Sequence, residues 1–189
     1  NTSFGVSLQS DLTVTHTLNL QSANPSDILG CLETGTKTLT LGGSATTIGQ
    51  GDVTGIVKRT TLIANTSYTF GNKFANIYFP AIGTLPTSIS VKTSIGAAPA
   101  WKTGGIKRIY DIIQTGADPY NPCAASITAA YLDSELNGNT EDSLVFWSFR
   151  FGVNWLFEHG RADHNMTDNW VQLTNVNMAF FSSVFGAVQ

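Results

Sequence analysis

The sequence predicts an all-β protein, an antiparallel β-sandwich or jelly roll with an N-terminal strand-forming arm. Three observations carry this. The 189 residues include 24 Thr, 16 Ser and 11 Phe, while charged residues make up only 12%; β-branched and aromatic side chains suit strands, and the charged helix formers are sparse. Turn-forming clusters recur at short intervals, among them "NPSD", "LGGS", "GQGD", "FGNK", "IGAAP" and "LNGNT". Several segments between them alternate apolar and polar residues, the period of a half-buried strand.

Taken in order, the arm comes first. "DLTVTHTLNL" (11–20) alternates without a break, so Leu12, Val14, His16, Leu18 and Leu20 are expected to line one face of a single strand, with Phe4, Val6 and Leu8 as a forward continuation. Residues 1–22 are assigned to this arm and 23–189 to the sandwich. Strands are then expected at 36–41, 53–63, 74–79, 87–95, 105–114, 124–132, 143–151, 152–158, 169–174 and around 176–187. "SISVKTSI" (88–95) sets Ile89, Val91 and Thr93 against Ser90, Lys92 and Ser94. "SLVFWSFRFGVNWLFE" (143–158) is apolar on both faces and reads as a central pair bent at Gly152, with Phe146, Trp147, Phe149, Phe151, Trp155 and Phe157 in the core. No helix is expected.

Composition excludes several function classes. The net charge is -3 and no basic run occurs, so nucleic acid is not an expected partner. No stretch reaches the roughly 20 apolar residues of a spanning helix, and no membrane insertion is expected. A chain that begins at Asn1, with low charge and abundant Thr, Ser, Asn and Gly, suits a mature exported protein at an extracellular or cell-surface location. Cys31 and Cys123 match no zinc spacing; they form either a disulfide or two separate apolar thiols.

The chemistry-bearing motifs are few, and no cofactor is expected. No nucleophile elbow, phosphate loop or zinc-protease motif is present. "EHGRADHNMTDNW" (158–170) gathers Glu158, His159, Arg161, Asp163, His164 and Asp168, and reads as an exposed hairpin loop more readily than as a metal or acid–base site. In "YLDSELNGNTEDSLVFW" (131–147), Asp133, Glu135, Asn137 and Gly138 fall near calcium-loop positions, but Leu144 stands where a bidentate Glu belongs. A plain hairpin turning at Asn137-Gly138 is the preferred reading. No pair of carboxylates recommends glycoside hydrolysis, so an enzyme is not expected. Trp101 and Trp170 are the aromatics on which a sugar ring could stack, which keeps a glycan-binding module as the alternative. Asn1, Asn65 and Asn165 open N-x-S/T sequons.

"LTLGGSATTIGQGDVTGIVKRTT" (39–61), "NTSYTFGNKFANIYF" (65–79), "GTLPTSISVKTSIG" (83–96), "IKRIYDIIQTG" (106–116) and "YLDSELNGNTEDSLVFW" follow one another in this order. Together they resemble β domains of large secreted surface proteins of Bacteroidetes-type bacteria. The resemblance implies export and a structural or adhesive role. It also implies O-glycosylation at Ser143, in the triplet Asp142-Ser143-Leu144. A compact chain with an almost uncharged arm further resembles a pilin-like fibril subunit. The expected function is therefore a structural subunit of an extracellular fibril. Copies would join head-to-tail in a helical polymer by strand donation or augmentation through the arm. Surface glycans are the other partner considered.

Overall fold

The computed structural model describes residues 5–21, 31–150, 155–178 and 183–188. Sixteen strands and two short 3-10 turns are found among them, so the protein is all-β, in several open sheets. The N-terminal third is built differently from the rest. β1 (Gly5–Ser7), β2 (Leu12–Val14) and β3 (Thr17–Asn19) make one coil. β4 (Cys31–Leu41) and β5 (Thr46–Ile48) make a second. β6 (Asp52–Thr60) and β7 (Thr66–Thr69) continue the path.

These segments stack in parallel. β1 and β2 both lie on β4, β3 lies on β5, and β4 lies on β6. The corner is repeated from layer to layer. The Gly42 amide donates to the Val14 carbonyl, the Thr46 amide to the His16 carbonyl, and the Leu20 amide to the Ile48 carbonyl. Register slips once, between Glu33 and Thr38 of β4. There the buried Thr34 hydroxyl accepts the Ile56 amide at 2.8 Å. Gly55, at φ 96°, faces this hydroxyl, and any Cβ would overlap it.

The remainder is antiparallel: β8 (Asn76–Phe79), β9 (Ser88–Ile95), β10 (Arg108–Thr115), β11 (Ala124–Ala130), β12 (Val145–Arg150), β13 (Trp155–Gly160), β14 (Asp163–Asn165), β15 (Trp170–Asn177) and β16 (Ser183–Val188). A nine-stranded mixed sheet runs β1-β4-β6-β9-β10-β16-β12-β13, with β2 beside β4. A five-stranded antiparallel sheet runs β14-β15-β11-β8-β7, and β3-β5 form a separate pair. Both larger sheets contribute to one hydrophobic core. Phe70, Ile77 and Ile127 face Val91, Ile112 and Phe146 across the same small apolar gap.

Several expectations are corrected. The sheets are not all antiparallel, because alternation reports which face is buried and is blind to strand direction. The segment 11–20 is two strands broken at Thr15-His16. Asn137-Gly138 does turn with two positive φ values, 54° and 85°, but it joins strands of different sheets. It lies between the 3-10 turns Asp133–Glu135 and Glu141–Ser143, outside any hairpin. β12 and β13 do pair, and Phe146 is in the core. Trp147 and Phe149 take the other face of β12 and are half-buried, while Phe157 is exposed. Phe151 and Gly152 lie outside the described residues, as does the Trp155 side chain.

Candidate assembly edge

The feature that sets this molecule apart is the edge made by β1, β2 and β3. Paired residues of neighbouring strands point the same way, so their side chains form rows across the sheet. One row is Leu12, Leu39, Val57, Val91 and Ile112. Leu39, Val57, Val91 and Ile112 are at most 3% exposed, whereas Leu12 is 42% exposed. A second row, Val6, Leu32 and Val53, rises from 1% at Val53 through 8% to 68% at Val6. Among the described residues, each row thus ends in an apolar side chain with no further layer over it. An edge strand also leaves alternate backbone N–H and C=O groups without ladder partners.

The residues expected at a subunit interface divide accordingly. Val6 and Leu12 are exposed at the edge, and Leu8 and Val14 are half-buried against the core. Leu18 and Leu20 are core residues of their own chain. His16 is exposed at the corner, where its Nδ1 lies 2.9 Å from Thr15 Oγ1. Phe4 lies outside the described residues. The opposite end of the nine-stranded sheet is β13, which exposes Leu156 and Phe157. On its partner strand, Ser148 Oγ lies 2.7 Å from His159 Nε2, and burial lowers the His159 pKa.

Two buried arginines tie the layers behind this edge to the rest of the molecule. Arg59, next to the Val14–Leu41 row, donates to the Gly42 carbonyl at 2.7 Å. It also donates to the Thr69 carbonyl and hydroxyl. It therefore ties the corner of the second coil to β7. Burial lowers its pKa to about 10, and the Tyr68 ring lies 5.4 Å from its guanidinium carbon. Arg108 instead bridges two buried carboxylates. Its Nη1 and Nη2 reach Asp52 at 2.9 and 2.8 Å, while Nε and Nη2 reach Glu135 at 2.7 and 2.9 Å. Asn72 donates to the same Asp52 oxygen, and Glu135 accepts the Leu132 amide. Burial alone would lower the Arg108 pKa; Tyr110, Asp52 and Glu135 outweigh it and leave the guanidinium well above its usual value. Sequence reading passed over both arginines. The available signal was a charge on the inward face of an apolar strand, which demands partners.

The two polar loops singled out in sequence meet each other. Arg161 donates to the Leu144 carbonyl and to Asp142, His164 Nε2 lies 3.2 Å from Asp142, and Asn169 donates to Asp133. Part of the second loop (158–170) is strand: β14 pairs with β15. Glu135 and Leu144 are buried and Asn137 donates to the Thr103 and Gly105 carbonyls. Among the described residues no three His, Cys, Asp or Glu side chains form a metal cluster, and no helix is long and apolar enough to cross a membrane.

Cys31 and Cys123 are separate thiols, both raised in pKa by burial. Asn65 is exposed at a turn, Asn165 accepts the Thr167 and Asp168 amides, and Asn1 lies outside the described residues. The Ser143 hydroxyl donates to the Thr140 carbonyl at 2.7 Å. Trp101 lies flat against Phe149, at 5.7 Å and 10°, which occupies one face of its ring; Trp170 is half-buried in β15. Comparison of the chain with family models, with curated proteins and with solved structures found no match.

Proposed function

We propose that the protein is a structural component of an extracellular bacterial assembly, a β-sandwich element extended by strands added to the β1–β2–β3 edge. The observation that carries this is the pair of unfinished rows ending at Val6 and Leu12. Added strands would supply backbone ladder bonds and cover these side chains, which is β-augmentation. Residues 12–19 already pair with β4 and β5 of their own chain, so the reading is an acceptor edge and not a free donor arm.

Left uncovered, such an edge joins copies of the chain. Light scattering and electron microscopy of the purified chain should find concentration-dependent self-association, with filaments if the contact is head-to-tail and does not close. Leu12→Lys should abolish it. A chain that stays monomeric at every concentration, with Leu12→Lys indistinguishable from it, would overturn the proposal.

A further inference from the structure

We propose that the loop joining β9 and β10 forms, with the outer face of β12, a binding site for one ring of a neutral oligosaccharide. The loop spans residues 96–107, and its base is closed by the Gly96 amide, which donates to the Lys107 carbonyl at 2.8 Å. Within it, the Lys102 amide donates to the Pro99 carbonyl and the Gly105 amide to the Lys102 carbonyl. The turn after β11 pins it from outside. Asn137 donates to the Thr103 and Gly105 carbonyls, and Asn139 donates to the Gly104 carbonyl at 2.9 Å. A loop held this way presents its side chains at fixed places.

Two of those side chains lie on β12. Trp101 stacks on Phe149, and Lys102 Nζ lies 3.8 Å from the centre of the Trp147 ring. Trp147 and Phe149 alternate with the buried Phe146 and Ser148, so both stand on the outer face of the strand. Glu158 of β13 pairs with Trp147 and shares that face. Neither Lys102 nor Glu158 enters an ion pair among the described residues. Trp147 Nε1 is buried without a hydrogen-bond partner, a costly state that a ligand oxygen would relieve.

The chemistry of these groups selects the ligand. The ammonium and the carboxylate cancel, which favours a neutral molecule over an ion. Two donors, the indole N–H and the ammonium, stand beside one acceptor, so the ligand must both accept and donate, as hydroxyls do. The face of Trp101 turned away from Phe149 meets no other ring among the described residues, and it offers an apolar plate. A pyranose combines an apolar C–H face with a rim of hydroxyls and no charge. Lys102 swings on a flexible stem; leaving the Trp147 ring, it would reach a sugar hydroxyl and uncover the indole N–H. This site is separate from the β1–β3 edge and does not depend on it.

The experiment adds cellopentaose, xylopentaose and mannopentaose to the full chain and follows tryptophan fluorescence and the indole N–H resonances. At least one of these sugars should bind and move the Trp147 indole resonance. Trp101→Ala should weaken that binding about tenfold, and Lys102→Met and Glu158→Gln should each weaken it about three- to tenfold. Tyr120→Ala, which removes an aromatic ring 96% exposed on another loop, should leave the affinity unchanged. Oligogalacturonate, a charged counterpart, should bind more weakly than the best neutral sugar. No binding of any neutral sugar up to about 10 mM would overturn the inference, as would tighter binding of oligogalacturonate or undiminished binding by Trp101→Ala. Should Trp101→Ala not fold, the unaltered chain decides the question. A Trp147 resonance that shifts with bound sugar supports the site, and one that stays in place overturns it.

Discussion

The parallel coils and the antiparallel body each bury an arginine, and they satisfy it by different means. In the coils, Arg59 is held by backbone carbonyls and a threonine hydroxyl, at positions where the corner of one layer meets the next. In the body, Arg108 is neutralised by Asp52 and Glu135, which arrive from β6 and from the turn after β11. The coils are thus joined by neutral dipoles repeated from layer to layer, and the body by one charged knot that fixes distant elements to each other. A layered region can be lengthened without redesign; a region closed around a single ionic centre cannot.

Removing Arg108 should expose this contrast most strongly. Arg108→Ala would leave two carboxylates buried without their partner, at a cost of about 3–5 kcal/mol in denaturant unfolding. Leu39→Ala, in the middle of a completed row, should cost about 2–5 kcal/mol, while Leu12→Ala in the same row should cost under about 1 kcal/mol because the edge side chain is only partly covered.

Alkali should act on the body through Tyr110. Its hydroxyl donates to the Ala130 carbonyl, and burial pushes its pKa up to about 12. The unfolded phenol ionises near pH 10, so the unfolded state loses its proton first. Stability then falls between about pH 10 and 12, by about 2–3 kcal/mol. Urea midpoints across this range should flatten in Tyr110→Phe. Part of the slope should remain from Tyr131, which burial and its hydrogen bond to Glu141 also raise. A smaller effect is expected at the coil arginine. Arg59→Met removes hydrogen bonds but also a buried charge, and should cost about 1–2 kcal/mol, clearly less than the loss of Arg108. Equal costs at the two arginines would erase the distinction between the regions.

Much of the fold was legible in the sequence. The strands from β8 to β12 lie close to where period-two alternation and turn residues place them, and Ile89, Val91 and Thr93 are buried as their spacing requires. Direction was not legible, because a parallel and an antiparallel strand bury the same alternate residues. The very short strands β5, β7 and β14 were missed, since three or four residues carry too little periodicity to be recognised. At the edge, the apolar positions were found, but alternation could not tell that Leu18 is buried while Leu12 is exposed. That difference depends on how many layers lie above each residue. Arg108 drew no expectation, because its partners Asp52 and Glu135 are remote in the chain.

The place of β16 has a consequence for when the molecule can form. This strand lies between β10 and β12, so β12 and β13 join the large sheet only through it. Until β16 arrives, that hairpin has no ladder bonds to the sheet, whose pairing stops at β10. Completion of the large sheet therefore depends on a long-range strand insertion, the kind of pairing that slows folding.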